Sequence, residues 1–231
     1  MVKKILKEFI PPILVHLIKK LYAVFHSRKD KEALTNWLRA DGDRTFRLDY
    51  PDLNESSIVF DIGGYKGEWS KNIFCKYMPQ IYIFEPVTSF YEEIDNSFKN
   101  NTKVHVFKIG FSNKELDTSI SLADDSSSIF NITSINKTEQ IHITTLSSFI
   151  KENSIANIDL IKINIEGSEF DVIEDLFNHD LIKNIRQFQI QFHNFSDDAK
   201  TRMDKCRMML SKTHNQDWNF EFVWEGWTRK E

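Results

Sequence analysis

The residues whose types and spacing could do chemistry fall into four short groups. Asp61 is followed by Gly63, Gly64 and Gly67, and Glu85 stands before Pro86. Lys162, Asn164 and Glu166 alternate along Asp159–Glu166, and His193 follows Gln189-Ile-Gln191-Phe192. Two acidic residues could hold a cation or the hydroxyls of a ribose. Glycines let a backbone take positive φ and come close to a ligand. A histidine or a glutamate could remove a proton near neutrality.

Regular elements must bring these groups together. Ile58 to Phe60 is an apolar, β-branched run with Asp61 at its end, and it reads as a buried parallel strand. The glycine turn comes next. From Lys66 the pattern is helical, with Trp69, Ile73 and Phe74 on one face. A second strand, Ile81–Phe84, ends in Glu85-Pro86. Strand, glycine turn and helix N-terminus form the first half of a nucleotide-binding βαβ unit. A dinucleotide fingerprint would need glycine where Ile62 sits. A carboxylate at the strand end suits a ligand with ammonium and sulfonium charge better than one with phosphates. S-adenosylmethionine is such a ligand, with Asp61 and the Gly63–Gly67 turn at its methionine end. Glu85, about twenty positions after the glycine loop, could accept both ribose hydroxyls. The plainer reading is an ordinary strand–turn–helix with solvated carboxylates. Two acidic strand tips in register favour the nucleoside.

Further on, Ser89-x-x-Glu92 predicts a capping box that opens a helix. Lys103–Ile109 predicts a third strand with a turn at Gly110-Phe111-Ser112, where an adenine would be flanked. Asn113–Lys137 is polar and serine-rich, and Asp124–Ser128 reads as a surface loop. A strand at Ile141–Thr144 and a helix at Leu146–Lys151 come before the strand Asp159–Glu166. A helix at Glu169–Phe177, a strand at Gln187–Phe192 and a helix at Asp197–Ser211 follow. Alternating strands and helices predict an α/β fold with a doubly wound, mainly parallel sheet that binds ligands at the carboxyl ends of its strands. Period-two alternation gives Lys162, Asn164 and Glu166 one orientation. Polar groups inside a strand are costly without partners, and Lys162 could pair with Glu166. Methyl transfer from a sulfonium to an alcohol needs in-line approach and loss of the hydroxyl proton. His193 suits that task, and Glu166 could take the proton instead or orient the acceptor. No asparagine- or aspartate-Pro-Pro-aromatic run is present to seat a nucleobase amine, and no carboxylate set suggests a metal clamp.

The 231 residues carry a formal charge of −4, which gives no electrostatic footprint for nucleic acid. The two cysteines lack any metal or redox spacing and imply reduced thiols in a cytoplasmic setting. Residues 1–25 mix five lysines with an apolar run broken at Pro11-Pro12. That run is too short to span a membrane. It could lie in an anionic membrane interface, or cover a face of the domain or of a twin subunit in a homo-oligomer.

The segments FDIGGYKGEWS, IFEP, VFKIGFS, TLSSF and DLIKINIEGSEFDVI together resemble the FkbM-type methyltransferases, within the class I S-adenosylmethionine-dependent fold. The resemblance covers roughly residues 56–195. It implies a helical extension over 1–48 and a methyltransferase domain over 49–231. It also implies S-adenosylmethionine as cofactor and O-methylation of a sugar of a bacterial surface glycan or of its precursor, which could be lipid-linked. Glu166, Gly167 and Glu169 match the family pattern, which has aspartate where this chain has Asn164. FIPPIL, QFHNF and SKTH…FVWEGW resemble a subgroup associated with cell-surface polysaccharide synthesis. On this reading Asp61, Gly63, Gly64, Gly67, Glu85, Pro86, Gly110 and Asn164 serve the cofactor, and Lys162, Glu166 and His193 serve the chemistry. A nicotinamide-dependent oxidoreductase and a non-catalytic membrane-surface module are the alternatives, and the first would want a Tyr-x-x-x-Lys pair.

Overall fold

The computed structural model describes residues 31–121 and 138–231. Residues 1–25 and the Asp124–Ser128 loop lie outside them. Seven strands form the main sheet in the order β3-β2-β1-β7-β8-β10-β9. Its parallel part is β3 (Val104–Phe107), β2 (Gln80–Phe84), β1 (Ile58–Ile62), β7 (Ile158–Ile163) and β8 (Ile185–Ile190). The hairpin β9 (His214–Phe220) and β10 (Trp224–Arg229) closes one edge, with β10 antiparallel to β8. A helix follows most parallel strands: α1 (Glu68–Tyr77), α2 (Thr88–Phe98), α3 (Leu146–Glu152), α4 (Glu169–Asn178) and α5 (Ala199–Leu210).

Strand alternation explains how the sheet buries both faces. Val59 and Leu160 point to the side that also holds Trp69, Ile73 and Ile94. Phe60, Ile62, Ile161 and Ile163 point to the side that holds Phe170, Ile173 and Leu176. Asp61 and Lys162 therefore share the α1 side, and the register sets them opposite each other.

A second, three-stranded sheet, β4-β6-β5, was not legible. Gly110–Ser112 is its strand β4 rather than a turn at the tip of β3, and β5 (Leu116–Ser121) falls inside the polar, serine-rich stretch Asn113–Lys137, where no strand was expected. Both pair with β6 (Thr138–Thr145). The capping box does not form. Val87 is the N-cap of α2, and no side chain of that residue caps it. Instead Glu139 of β6 accepts from the Thr88 N–H at 3.0 Å and from its hydroxyl, so a neighbouring strand caps the helix and ties the small sheet to it. Among the C-terminal aromatics, Trp224 and Trp227 are buried. Trp218 and Phe220 pack on Trp37 and Phe46, at ring separations of 5.2–5.9 Å.

Candidate active site

Below the glycine turn lies a closed polar floor. Lys162 Nζ donates to Asp61 Oδ1 at 2.8 Å and to the Gly63 carbonyl at 2.6 Å. Ser70 Oγ of α1 donates to Asp61 Oδ2 at 2.6 Å. Asp61 is 0% exposed and Lys162 3%. Burial pulls the Lys162 ammonium down, and the charge and hydrogen bond of Asp61 oppose that. The partner of Lys162 is thus Asp61, from the adjoining strand, and not Glu166.

Above this floor, Gly63 has φ +86, and a Cβ there would stand 1.9 Å from the Asn164 carbonyl oxygen. Only glycine lets the tips of β1 and β7 approach so closely. Two adjoining hollows open at these tips. Gly63, Pro86, Ile120 and Ile165 line both. The first is apolar, with Gly110, Ile109 and Phe111 from the β3–β4 region and Ile141 and Ile143 from β6. The second adds Tyr65, Glu85, Phe90, Asn164 and Glu166. Of the residues predicted to serve a cofactor, Gly63, Glu85, Pro86, Gly110 and Asn164 line these hollows. Asp61, Gly64 and Gly67 act from behind. A Cβ at Gly64 would meet Ile83 at 2.5 Å, and Gly67, at φ +76, is the N-cap of α1.

Glu85 is oriented by backbone. Its Oε2 accepts from the Tyr65 N–H at 2.8 Å and its Oε1 from the Val87 N–H at 3.0 Å. Burial pushes the carboxyl up to about 7, against the lowering by these two bonds. Asn164 Oδ1 is buried and has no hydrogen-bond partner among the described residues. A buried acceptor of this kind is matched when an ammonium or hydroxyl donor enters the hollow. A nucleoside with a cationic tail fits this lining: an apolar recess, a carboxylate for a diol, and a vacant acceptor beside it.

The alternation expected through Glu166 ends at Ile163. Glu166 has φ +54 and Gly167 φ +112, so the chain turns sharply into α4. That turn is held by Glu169, which is fully buried and accepts from the Ile165 N–H at 2.9 Å and the Gly167 N–H at 3.1 Å. Its Oε1 also meets His193 Nδ1 at 2.8 Å. A carboxylate already accepting from backbone leaves the ring nitrogen to donate, so His193 carries its proton on Nδ1 and turns Nε2 outward. Nε2 lies 3.5 Å from Oε1 of Glu166, and Glu166, not His193, lines the second hollow. Burial pulls the imidazole down, but the hydrogen bond and charge of Glu169, with Glu166, outweigh it and hold His193 above its ordinary value. Burial likewise raises Glu166, against the lowering by His193. Sequence reasoning gave Glu169 no site role. Its match to the family pattern, together with Glu166 and Gly167, was the available signal.

Comparisons with known proteins give the family and the fold. No curated protein matches the chain. A Clostridium thermocellum protein assigned as an rRNA methylase has a similar structure, with a TM-score of 0.50 at 8% identity over 78% of this chain and 89% of that one. TrmK of M. capricolum, solved with S-adenosyl-homocysteine, aligns at 12% identity and a TM-score of 0.44, over 78% of this chain and 66% of that one. The N-methyltransferase NodS from Bradyrhizobium japonicum WM9 aligns at 8% identity and a TM-score of 0.44, over 85% and 98%. The Methyltransferase FkbM domain model matches residues 61–222, from the buried Asp61 through the β9–β10 turn. That span holds the glycine turn, both hollows and the Glu166–His193 wall, and so the chain belongs to the FkbM methyltransferase family and uses S-adenosylmethionine.

Proposed function

We propose that the protein transfers a methyl group to a hydroxyl, on a sugar of a bacterial surface glycan or of its precursor. The observation that supports this reading is the line Glu169–His193–Glu166, in which a buried carboxylate fixes the imidazole and Nε2 stands 3.5 Å from Glu166, a residue of the hollow's lining. S-adenosylmethionine supplies a methyl group on a sulfonium sulfur and leaves as a neutral thioether. Nε2 of His193 takes the acceptor's hydroxyl proton as its oxygen takes the methyl group. Glu166 orients that hydroxyl. Glu169 is a positioning residue: it fixes the tautomer and the ring, and holds the turn that presents Glu166. Glu85 accepts the ribose hydroxyls, Pro86 and Gly110 flank the adenine, and Asn164 Oδ1 accepts from the cationic tail. Lys162 and Asp61 hold the Gly63 carbonyl in place and touch neither substrate.

The test uses methyl-labelled cofactor with saccharide, amine and RNA acceptors. Label in an acid-stable ether on saccharide oxygen is expected. Label on nitrogen or on RNA would overturn the reading.

The reading of residues 1–25 as an interfacial anchor belongs to the same proposal, since it would keep the enzyme near a lipid-linked acceptor. Each lysine near an anionic surface contributes about 1 kcal/mol, and salt screens it. Full-length protein should sediment with anionic liposomes at low salt and release at high salt, and removal of residues 1–25 should abolish sedimentation yet leave cofactor binding. If the truncated chain instead loses an oligomeric state, with no vesicle binding by the intact one, the segment packs on protein.

A further inference from the structure

Helix α4 begins on a serine that does not cap it. A serine at an N-cap ordinarily takes extended dihedrals, and its oxygen accepts from an N–H of the first turn. Ser168 stands at the N-cap of α4 with φ −90 and ψ 3, and its side chain makes no capping bond. Its hydroxyl bonds to no other described residue either. Yet the residue is only 4% exposed. A buried hydroxyl without a partner is costly, and such groups are kept where something else completes them. Ser168 lines the first hollow, and among the described residues of that lining it alone has a polar side chain.

The cofactor has three chemically distinct parts. Its methionyl end carries an ammonium, a carboxylate and the sulfonium, and its ribose carries a diol. Phe84, Phe111, Ile141 and Ile143 of the first hollow match neither the charges nor the diol. They do match the adenine, whose two π faces are apolar and whose polar atoms lie on the edge. A base sunk in that recess needs a partner for its 6-amino group, which otherwise gives up water and gains nothing. Glu85 lines only the second hollow, where the ribose is placed. The hydroxyl of Ser168 remains.

We infer that Ser168 determines specificity for the adenine base: its Oγ accepts from an N–H of the 6-amino group when S-adenosylmethionine is bound. This role rests on the placement of the adenine between Pro86 and Gly110 under Proposed function, and it adds the group that reads the edge of the base.

Calorimetry on the full-length protein tests this with two ligands, S-adenosylhomocysteine and its analogue with hydrogen in place of the 6-amino group. The wild type should bind the analogue about tenfold more weakly than S-adenosylhomocysteine. Ser168→Ala should bind S-adenosylhomocysteine about tenfold more weakly than the wild type does. It should bind the two ligands equally, because the same hydrogen bond is missing whichever partner is removed. The urea midpoint of Ser168→Ala without ligand should equal or exceed that of the wild type, since the lost hydroxyl has no partner in the fold. Equal binding of the two ligands by the wild type, undiminished affinity in Ser168→Ala, or a second tenfold loss when that variant meets the analogue would overturn the role of Ser168 alone. A lower urea midpoint would do the same by making the serine structural. Failure of the wild type to bind S-adenosylhomocysteine would overturn the site reading beneath it.

Discussion

The floor under the glycine turn and the wall around His193 are built from the same residue types and do opposite things. In the floor, one lysine and one aspartate face each other across adjacent parallel strands, buried and hydrogen-bonded, with Ser70 completing the set. In the wall, two glutamates flank one histidine where the strand has ended, around a residue at positive φ, and burial raises Glu166. The floor is balanced in charge and held by regular structure. Among the described residues the wall sets two carboxylates against one imidazole, and Glu166 lines the hollow. Paired groups inside strands set geometry, and titratable groups whose values are shifted at the strand ends are placed to exchange protons.

Removing one member of the balanced pair should produce the largest effect. Lys162→Met leaves Asp61 buried without its counter-ion and should cost about 3–5 kcal/mol in urea unfolding. The double variant with Asp61→Asn should recover part of that, and equal losses in single and double variants would break the contrast. On the wall, His193→Ala should lower turnover about a hundredfold or more while cofactor affinity stays near wild type. Should turnover hold and Glu166→Gln abolish it, the base is Glu166.

Glu85 joins the two regions, and the expected loss for Glu85→Ala by calorimetry is about 1–3 kcal/mol of cofactor affinity. Its pH dependence has two opposite signs. Its folded value, about 7, lies above the ordinary 4.5. Without ligand, the folded chain takes up a proton that the unfolded chain does not, so stability should fall as pH rises through that window. A ribose diol donates to the ionised form, so cofactor affinity should instead fall as pH drops below about 7. Parallel trends in stability and affinity would remove Glu85 from the ribose site. The smallest effect belongs to Glu139→Ala, which uncaps α2 and should cost about 1 kcal/mol of stability, with turnover unchanged.

The strands that carry chemistry were legible because their apolar runs end in charged residues, as at Phe60-Asp61 and Phe84-Glu85. Pairing across strands was not. Spacing along one strand offered Glu166 as the partner of Lys162, whereas the partner lies 101 positions away and is fixed by register. The small sheet was missed because β4 is three residues long and β5 reads Leu-Asp-Thr-Ser-Ile-Ser, a weak alternation inside a polar stretch. The capping box failed for a related reason: a carboxylate from a distant strand reached the Thr88 N–H instead. Glu169 was hidden by its place in an apolar helix face, where a buried carboxylate gains meaning only once His193 arrives from another strand.

The central claim is that Glu169 holds His193 with its proton on Nδ1 and Nε2 free to act as the base. Nitrogen-detected NMR of the His193 ring across pH reads both the tautomer and the midpoint. The Nδ1–H tautomer should be seen, with a midpoint above 6.5 that falls in Glu169→Gln. In step with it, the rising limb of the pH–turnover profile should move to lower pH. An Nε2–H tautomer, or a midpoint indifferent to Glu169→Gln, would contradict the account.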